Sequence, residues 1–240
     1  MPRFAININD IKEEKVTISG NDHKHMTTVL RLGINDTVTL FTGQTEYRAE
    51  IIKINSKEVV LRLIDTITVS RESPLKINLY QGILRSAKMD FIIQKCTELG
   101  ANTLTPVVNH RSQIRHTNKI KRWKRITEES CKQCGRNIPL LIKEIRSFEQ
   151  LIKEEIPPGA NLLFDVSAND TIKSYIESLK SSPGIINIFI GPEGGFSDKE
   201  VRLLENKEIR TVRFGPRILR AETAAISAIS VIQYLLGDLK

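Results

Sequence analysis

The sequence has few aromatic residues and no long apolar segment. Aromatic residues make up 5% of its 240 residues, so a folded core has to rest mainly on Ile, Leu and Val. No run approaches the roughly 20 apolar residues that a membrane-spanning helix needs. The first ten residues, MPRFAININD, lack the apolar stretch of a secretory signal. We therefore expect a cytoplasmic protein.

Cysteine is also scarce, and the chain has three: Cys96, Cys131 and Cys134. An odd number without a secretion signal favours reduced thiols over disulfides. Cys131 and Cys134 form a Cys-x-x-Cys pair with His110 and His116 upstream, but the spacing does not match the common zinc fingers or ribbons. We expect two thiols without a functional role, and no metal.

Acidic residues are in deficit, with 28 Asp and Glu against 36 Lys and Arg, which gives a formal net charge of +8. A basic balance favours a polyanionic partner such as a nucleic acid, because each neutralised phosphate releases counterions. Lysine-rich composition alone also produces such a charge, so the charge by itself does not decide the function.

Residues 1–70 contain short β-rich segments, which predict a small barrel or sandwich. Strands are expected at 37–41, 47–54 and 58–64, with a hairpin turn at 55–57. The basic residues of this region form either a solvated face or an RNA-binding surface: Arg3, Lys24, Arg31, Arg48, Lys53 and Arg62. The polar stretch 67–74 ends in proline and is interpreted as a linker.

From residue 75 the pattern changes to alternating strands and helices, which predicts an α/β domain with a parallel sheet. Strands are predicted at 75–82, 103–108, 161–166, 185–190 and 211–214. Helices are predicted at 87–100, 119–134, 147–155, 170–180, 198–206 and 222–236. The last helix is apolar or small almost all round, so we expect it in the core or in a subunit interface.

Two Gly-Pro loops follow predicted strands. Gly191-Pro192-Glu193-Gly194-Gly195 precedes a helix with Ser197 as N-cap, and GPRILRAETAA (215–225) follows the next strand. Ligands of open α/β sheets bind at the carboxyl ends of strands, although a plain tight turn would also explain either loop. Neither loop matches GxGxxG or GxxxxGK[ST], which disfavours a dinucleotide or a P-loop triphosphate. Backbone and apolar side chains suit a flat adenine and a sulfonium chain better.

These motifs resemble the SPOUT methyltransferases and, more narrowly, the RsmE family, which methylates N3 of one uridine in 16S ribosomal RNA of the small subunit. The similarity covers essentially the whole chain, including PRF (2–4), HMTTVLRLGIND (25–36), GILRSAKMDFIIQKCTELGANTLTPV (82–107), HRSQ (110–113) and QCGRN (133–137). It implies a PUA-like β-barrel RNA-binding domain at 1–70 and a methyltransferase domain with a deep C-terminal trefoil knot at 74–240. The family often has Glu where this chain has Lys132.

The resemblance implies S-adenosyl-L-methionine as the cofactor and a homodimer through the knot domain. Phe164, at the end of a predicted strand, is expected to supply a further wall of the cofactor site. The remaining expected cofactor residues lie in the two loops: Ile190, Gly191, Pro192, Glu193, Gly195, Phe214, Gly215, Ile218, Leu219, Arg220, Thr223 and Ala224.

Methylation of uracil N3 requires removal of its proton or stabilisation of the resulting anion, and arginine supplies a permanent charge and a planar donor group. The predicted catalytic residues are Arg136, Arg217, Arg220 and Glu222. Glu222 is either a base or a partner of the helix dipole, and the second is favoured. The predicted RNA-binding residues are Arg3, Lys24, His25, Arg31, Arg85, Lys88 and Arg111.

Two other functions stay open at this point. A SPOUT enzyme could act on another RNA, such as transfer RNA. A ribosome-associated RNA-binding protein without catalytic activity would retain only the basic surface.

Overall fold

The computed structural model describes residues 1–43, 45–68, 71–179 and 181–240, in two compact units. The first unit comprises Met1–Glu72 and Glu128–Pro139, and the second comprises Ser73–Thr127 and Leu140–Lys240. Within the predicted linker 67–74, Val69 and Ser70 lie outside the described residues. Among the described residues, no helix is long and apolar enough to cross a membrane.

The first unit is a β-sheet with the strand order β1-β3-β4-β5-β2. Its strands are β1 (Arg3–Ala5), β2 (Lys15–Ser19), β3 (Thr37–Phe41), β4 (Glu46–Ile54) and β5 (Glu58–Ile67). β1 pairs with β3 in parallel, and the other pairings are antiparallel. The three strands predicted from the sequence are confirmed, and β1 and β2 are additional.

A hairpin turn and a short helix make two of the connections in this sheet. Asn55 makes the predicted hairpin turn, because its side-chain oxygen accepts hydrogen bonds from the backbone N–H groups of Lys57 and Glu58. After β2 the chain forms α1 (Gly20–Lys24), which continues into a π-helical turn at His25–Val29. Alternating residues fill the core of this unit, among them Phe4, Met26, Val38, Leu40, Ala49, Ile51, Val59 and Leu61.

The second unit is a mixed α/β structure around a sheet with the order β12-β10-β11-β6-β7-β8, in which β9 also pairs with β7. Its strands are β6 (Lys76–Gly82), β7 (Thr103–Val108), β8 (Leu141–Ile142), β9 (Arg146–Ser147), β10 (Ala160–Phe164), β11 (Ile185–Ile190) and β12 (Arg210–Val212). The pairings described for this sheet are parallel, which confirms the predicted parallel sheet.

The helices of this region follow the predictions closely. They are α2 (Ser86–Glu98), α3 (Ile120–Cys134), α4 (Phe148–Lys153), α5 (Ile172–Ser178), α6 (Asp198–Glu205) and α7 (Ala221–Leu236). Capping boxes at Ser147, Thr171 and Ser197 begin α4, α5 and α6 by satisfying the first free backbone donors. The helix predicted at 170–180 ends earlier, and Lys180 lies outside the described residues.

Both faces of the parallel sheet are covered, which is why its central strands are nearly continuous apolar runs. On β11, Ile186, Ile188 and Ile190 face one apolar cluster, and Phe189 faces the other. α7 packs on the first face against α2, and Gln233 joins them by donating to the carbonyl of Leu99. The predicted burial of the last helix is therefore confirmed for the face that packs on the sheet. The other face is exposed at Tyr234.

Candidate functional site

A cavity of about 770 Å³ lies at the carboxyl ends of β10, β11 and β12. Parallel strands bring these ends to one edge, where ligands of open α/β sheets bind. The two Gly-Pro loops follow β11 and β12, and β10 lies between these strands. Phe164, the last residue of β10, therefore stands between the loops.

The first loop, 191–196, approaches the sheet closely because Gly82 has no side chain. A Cβ atom at Gly82 would overlap the backbone of Gly191 and Pro192. Gly195 adopts a φ of +68°, which favours glycine. The side chain of Asn109 donates to the carbonyl of Gly195 at 3.0 Å. Close packing and hydrogen bonds thus fix this wall of the cavity.

Glu200 connects the first loop to the loop that follows β7. Its carboxylate accepts from the backbone N–H of Ser197 at 2.7 Å and from the backbone N–H of His110 at 2.9 Å. Arg111 strengthens this connection, because its guanidinium donates to the carbonyls of Gly194 and Phe196. The buried carboxylate and the arginine hold the two loops together at the rim of the cavity.

The second loop, 213–220, forms an apolar wall. Phe214 stacks on Phe164 with ring centroids 4.6 Å apart. Gly215 has a φ of +154°, and beyond it the side chain of Ile218 is 82% exposed. An exposed isoleucine beside stacked aromatic rings offers a flat apolar surface, which suits a planar heterocycle.

Charged groups surround the mouth of the cavity. The Lys88 ammonium lies 3.2 Å from the carboxylate of Glu193 and 3.4 Å from that of Glu222. Lys88 therefore links the first loop to the first turn of α7, where a carboxylate also interacts favourably with the helix dipole. Arg217 and Arg220 line the cavity and are exposed, and no ion pair or side-chain hydrogen bond within the described residues holds either of them. Their guanidinium groups are available to a substrate.

Most of the predicted cofactor residues line this cavity, and Thr223 is the exception. Arg217, Arg220, Lys88 and Arg111, which the sequence assigns to catalysis or RNA, line it too. The cavity also includes residues that the sequence did not assign to a site: Asp165, Val166, Ser167, Gly194, Phe196, Asp198, Val201, Arg202, Glu205, Val212, Arg213 and Ala221. The turn after β10 could have been found from its place at a strand's carboxyl end.

Arg136 lies in the first unit, where its guanidinium pairs with Glu72 at 2.8 Å. Glu72 also accepts hydrogen bonds from the backbone N–H groups of Asn137 and Ile138. Arg136 is 3% exposed. The hydrogen bonds of Glu72 fix the backbone at 136–138. Arg136 is not among the described residues that line the cavity, and these belong to the second unit.

Two other basic residues of the first unit also form ion pairs within the protein. Arg3 pairs with the buried Glu46 at 3.0 Å and donates to Asn137 at 2.8 Å. Lys132, where the family resemblance led us to expect Glu, pairs with Asp22 at 2.7 Å. The charges of Arg3 and Lys132 are therefore largely neutralised within this unit.

Outside the lining of the cavity, the predicted RNA-binding residues other than Arg3 are solvent-exposed. Lys24 and His25 lie on α1 and the π-helical turn, and Arg31 follows with a φ of +53°. The edge of the His25 ring contacts Phe4, with centroids 5.8 Å apart. Arg85 is exposed immediately before α2. These side chains are accessible to a polyanion.

Cys131 is a buried thiol, and its neighbour Cys134 is half-buried. A hydrogen bond with Cys134, together with burial, raises the pKa of the Cys131 thiol. A protonated thiol is a poor metal ligand and a poor nucleophile. Within the described residues, no group of three or more His, Cys, Asp or Glu is placed to hold a metal ion.

Comparisons with known proteins agree with this architecture. The family model described as an RNA methyltransferase domain matches residues 71–233, and the model of the RNA methyltransferase PUA domain matches residues 18–64. The chain is 36% identical to the ribosomal RNA small subunit methyltransferase E of Buchnera aphidicola (Acyrthosiphon pisum), over 100% of this chain and 96% of that protein. It is 29% identical to the Bacillus subtilis protein of the same name, over 98% and 96%.

Solved structures give the same result. A methyltransferase of Legionella pneumophila with bound cofactor SAM is 33% identical, with a TM-score of 0.90 over 99% of this chain and 98% of that one. The Neisseria gonorrhoeae ribosomal RNA small subunit methyltransferase E bound to S-adenosyl methionine is 29% identical, with a TM-score of 0.90 over 100% of both chains. This chain therefore belongs to the family of ribosomal RNA small subunit methyltransferases E.

Proposed function

We propose that this protein transfers a methyl group from S-adenosyl-L-methionine to N3 of a specific uridine in 16S ribosomal RNA of the small subunit. The observation that carries the proposal is the cavity with two Gly-Pro loops at the carboxyl edge of the sheet, which suits a flat, uncharged heterocycle. The names of the relatives supply small-subunit ribosomal RNA as the substrate, and the bound molecule of the two solved structures supplies the cofactor. The choice of uridine N3 follows from the family resemblance.

The residues of the cavity fit this cofactor chemically. Phe164, Phe214 and Ile218 offer apolar contact area for an adenine, and the glycines of the first loop allow close approach of backbone groups. We propose that the site comprises Phe164, Ile190, Gly191, Pro192, Glu193, Gly195, Phe214, Gly215, Ile218, Leu219, Arg220, Thr223 and Ala224. When bound, the cofactor supplies an electrophilic methyl group on a sulfonium.

The protein's own contribution to the reaction is orientation and charge. Removing the N3 proton leaves an anion on the uracil ring, and arginines fixed near that anion lower the barrier. Arg217 and Arg220 line the cavity and are not held by other described side chains, so we propose them for this role. Glu222 is paired with Lys88, which favours a positioning role over that of a base.

Arg136 stays a prediction as a catalytic residue. Its pairing with Glu72 and its burial favour a positioning role, in which it fixes the segment 136–138 of the first unit.

We propose that residues 1–70 form a PUA-like RNA-binding domain and that 74–240 form the methyltransferase domain. Lys24, His25 and Arg31 supply exposed donors in the first, and Arg85 and Arg111 supply them in the second. Lys88 also stays a predicted RNA-binding residue, although it is half-buried and paired with Glu193 and Glu222. Arg3 also stays a predicted RNA-binding residue, although it is paired with Glu46. Phosphate contacts of this kind position an RNA without reading its sequence. An enzyme of ribosomal RNA would act in the cytoplasm, where we propose this one is located.

Two further features belong to the proposal. The chain leaves β12 at one edge of the sheet and returns to α7, which packs near β6 and β11 in its middle, and this route supports a deep trefoil knot. A crystal structure in which residues 213–220 do not thread behind the loop 191–197 would contradict it. The exposed apolar side chains Tyr234, Leu235 and Leu239 support a homodimer through this domain.

The decisive experiment measures methyl transfer from labelled S-adenosyl-L-methionine onto small subunits, and onto naked 16S RNA, from a strain lacking the gene. Nucleoside mass analysis should show N3-methyluridine. Label on transfer RNA alone would assign another substrate. RNA binding without transfer, together with no cofactor binding by calorimetry, would indicate a non-catalytic protein and would overturn the proposal.

A further inference from the structure

The segment between β7 and the second turn of α3 is strongly basic. Residues 110–125 contain seven Lys and Arg, two His, and no Asp or Glu, whereas the net charge of the whole chain is +8. The lysines and arginines are Arg111, Arg115, Lys119, Lys121, Arg122, Lys124 and Arg125. These residues belong to the second unit, together with the cavity.

This basic segment begins at the rim of the cavity. Asn109 and Arg111 both donate hydrogen bonds to backbone carbonyls of the first loop. β7 is parallel to β6 and ends at the same edge of the sheet, so the loop after β7 emerges beside the loops that form the cavity. The segment therefore extends the cavity's mouth along the surface of the unit.

A groove of about 700 Å³ lies along this segment. It is lined by Val108, Arg115, His116, Thr117, Asn118, Ile145, Ser147 and Gln150. Arg115, His116 and Asn118 are exposed and supply donors of the kinds that contact phosphate and ribose oxygens. The groove thus combines concave shape with positive charge.

The first turns of α3 add charges that the fold leaves uncompensated. Arg122 pairs with Asp90 at 2.9 Å. Lys121 and Lys124 are exposed, and within the described residues neither side chain has an ion pair or a hydrogen bond. Residues three apart lie side by side on a helix, so the two ammonium groups repel each other. A polyanion relieves that repulsion.

We propose that Arg115, His116, Lys121 and Lys124, which we name the α3 basic surface, bind the phosphate backbone of the RNA next to the target nucleotide. This inference rests on the proposed function and adds a second contact region, in the methyltransferase unit itself. An RNA fits better than an acidic protein because the basic segment that carries this surface begins, at Arg111, on the rim of the cavity that the target base must enter. The α3 basic surface binds the RNA chain while the target base occupies the cavity.

The test compares two double variants with the same charge change. Lys121→Gln with Lys124→Gln alters the α3 basic surface. Lys76→Gln with Lys153→Gln is the control. Lys76 begins β6 and Lys153 ends α4, so both lie at the edge of the sheet opposite the cavity, and both are exposed. Binding of naked 16S RNA is measured across a salt series, and cofactor binding by calorimetry.

We expect the first variant to bind RNA about tenfold more weakly at about 0.15 M salt, with a salt slope smaller by about 1.4 to 1.8, as two lost phosphate contacts require. Its affinity for S-adenosyl-L-methionine and its melting temperature should match those of the wild type. The control variant should keep the wild-type salt slope.

Two outcomes would overturn the inference. An unchanged salt slope in the first variant would show that Lys121 and Lys124 make no phosphate contacts, which the proposal requires them to make. Weaker binding to assembled subunits with normal binding to naked RNA would assign the surface to a ribosomal protein. The RNA-binding measurement needs no methyl transfer. A wild-type protein without methyltransferase activity would therefore contradict the proposed function but would leave the test of the α3 basic surface unaffected.

Discussion

The rings of Phe164 and Phe214 stack with their planes 19° from parallel. Phe164 ends β10, and Phe214 follows β12, the neighbouring strand. The pair joins two strand ends into one wall of the cavity, so the wall keeps its shape only if both rings are present.

Replacing Phe214 by Ala should weaken binding of S-adenosyl-L-methionine about tenfold. The variant loses an aromatic stack of about 0.5–1.5 kcal/mol together with apolar contact to the ligand, and tenfold corresponds to about 1.4 kcal/mol. Calorimetry measures the dissociation constant. Phe91→Ala is the matched control, because Phe91 is an exposed phenylalanine of α2. Equal affinity in both variants would exclude Phe214 from the site.

Replacing Gly82 by Ala should also weaken cofactor binding about tenfold, for a different reason. The new methyl group would push the loop at Gly191 and Pro192 away from the sheet, and overpacking of this kind costs about 1–3 kcal/mol. Gly184→Ala is the control, because a Cβ atom at Gly184 meets no atom within 4 Å. Wild-type affinity in Gly82→Ala would show that the loop does not shape the site.

Replacing Glu222 by Gln tests its role. The amide oxygen can still lie near the Lys88 ammonium, which is 3.4 Å from the carboxylate, so we expect turnover to fall less than about tenfold and its pH dependence to stay unchanged. A general base typically contributes about 10² to 10⁴ in rate. A loss of about a hundredfold, together with loss of the acidic limb of the pH–rate profile, would make Glu222 the base.

Replacing Arg136 by Ala should lower the melting temperature by about 5 °C, because Glu72 loses a largely buried partner. RNA methylation should fall more than cofactor affinity. Arg62→Ala is the control, since its pair with Glu50 is exposed and contributes little. An unchanged melting temperature combined with a large loss of turnover would instead place Arg136 among the catalytic residues.

Replacing Tyr234 by Glu should separate the proposed homodimer into monomers. The side chain is 63% exposed, so the substitution should leave the folded subunit intact. Sedimentation velocity measures the oligomer, and circular dichroism checks the fold. A variant that sediments like the wild type would exclude this part of α7 from the interface.

The elements around the cavity were predictable because their signals are local. The apolar run of β11, the glycines of 191–195 and the capping box of Ser197 follow each other within a short segment. Parallel pairing then places strand ends at one edge, so the sequence could predict a site there. Short elements such as β8 and β9, of two residues each, are too brief for any periodicity to reveal them.

Long-range relationships could not be predicted in this way. Nothing in the pattern shows that β10 lies between β11 and β12, because strand order depends on tertiary packing. The same holds for Arg136, whose partner Glu72 lies 64 residues earlier. α3 is a continuous helix without a break in its pattern, although its last turns belong to the first unit. The sequence predicted a catalytic role for Arg136, and its pairing with Glu72 becomes visible only in the fold.

The carboxylate of Glu200 accepts hydrogen bonds from both Ser197 and His110, and it therefore couples the binding of cofactor to the binding of RNA. Because one side chain restrains both loops, a ligand that orders the first loop also steadies the loop carrying Arg111. The two binding equilibria are then linked, and thermodynamic linkage requires the linkage to be mutual. If bound cofactor raises the affinity for RNA by some factor, bound RNA raises the affinity for the cofactor by the same factor. We expect Glu200→Gln to bring this factor towards one when each affinity is measured with and without the other ligand.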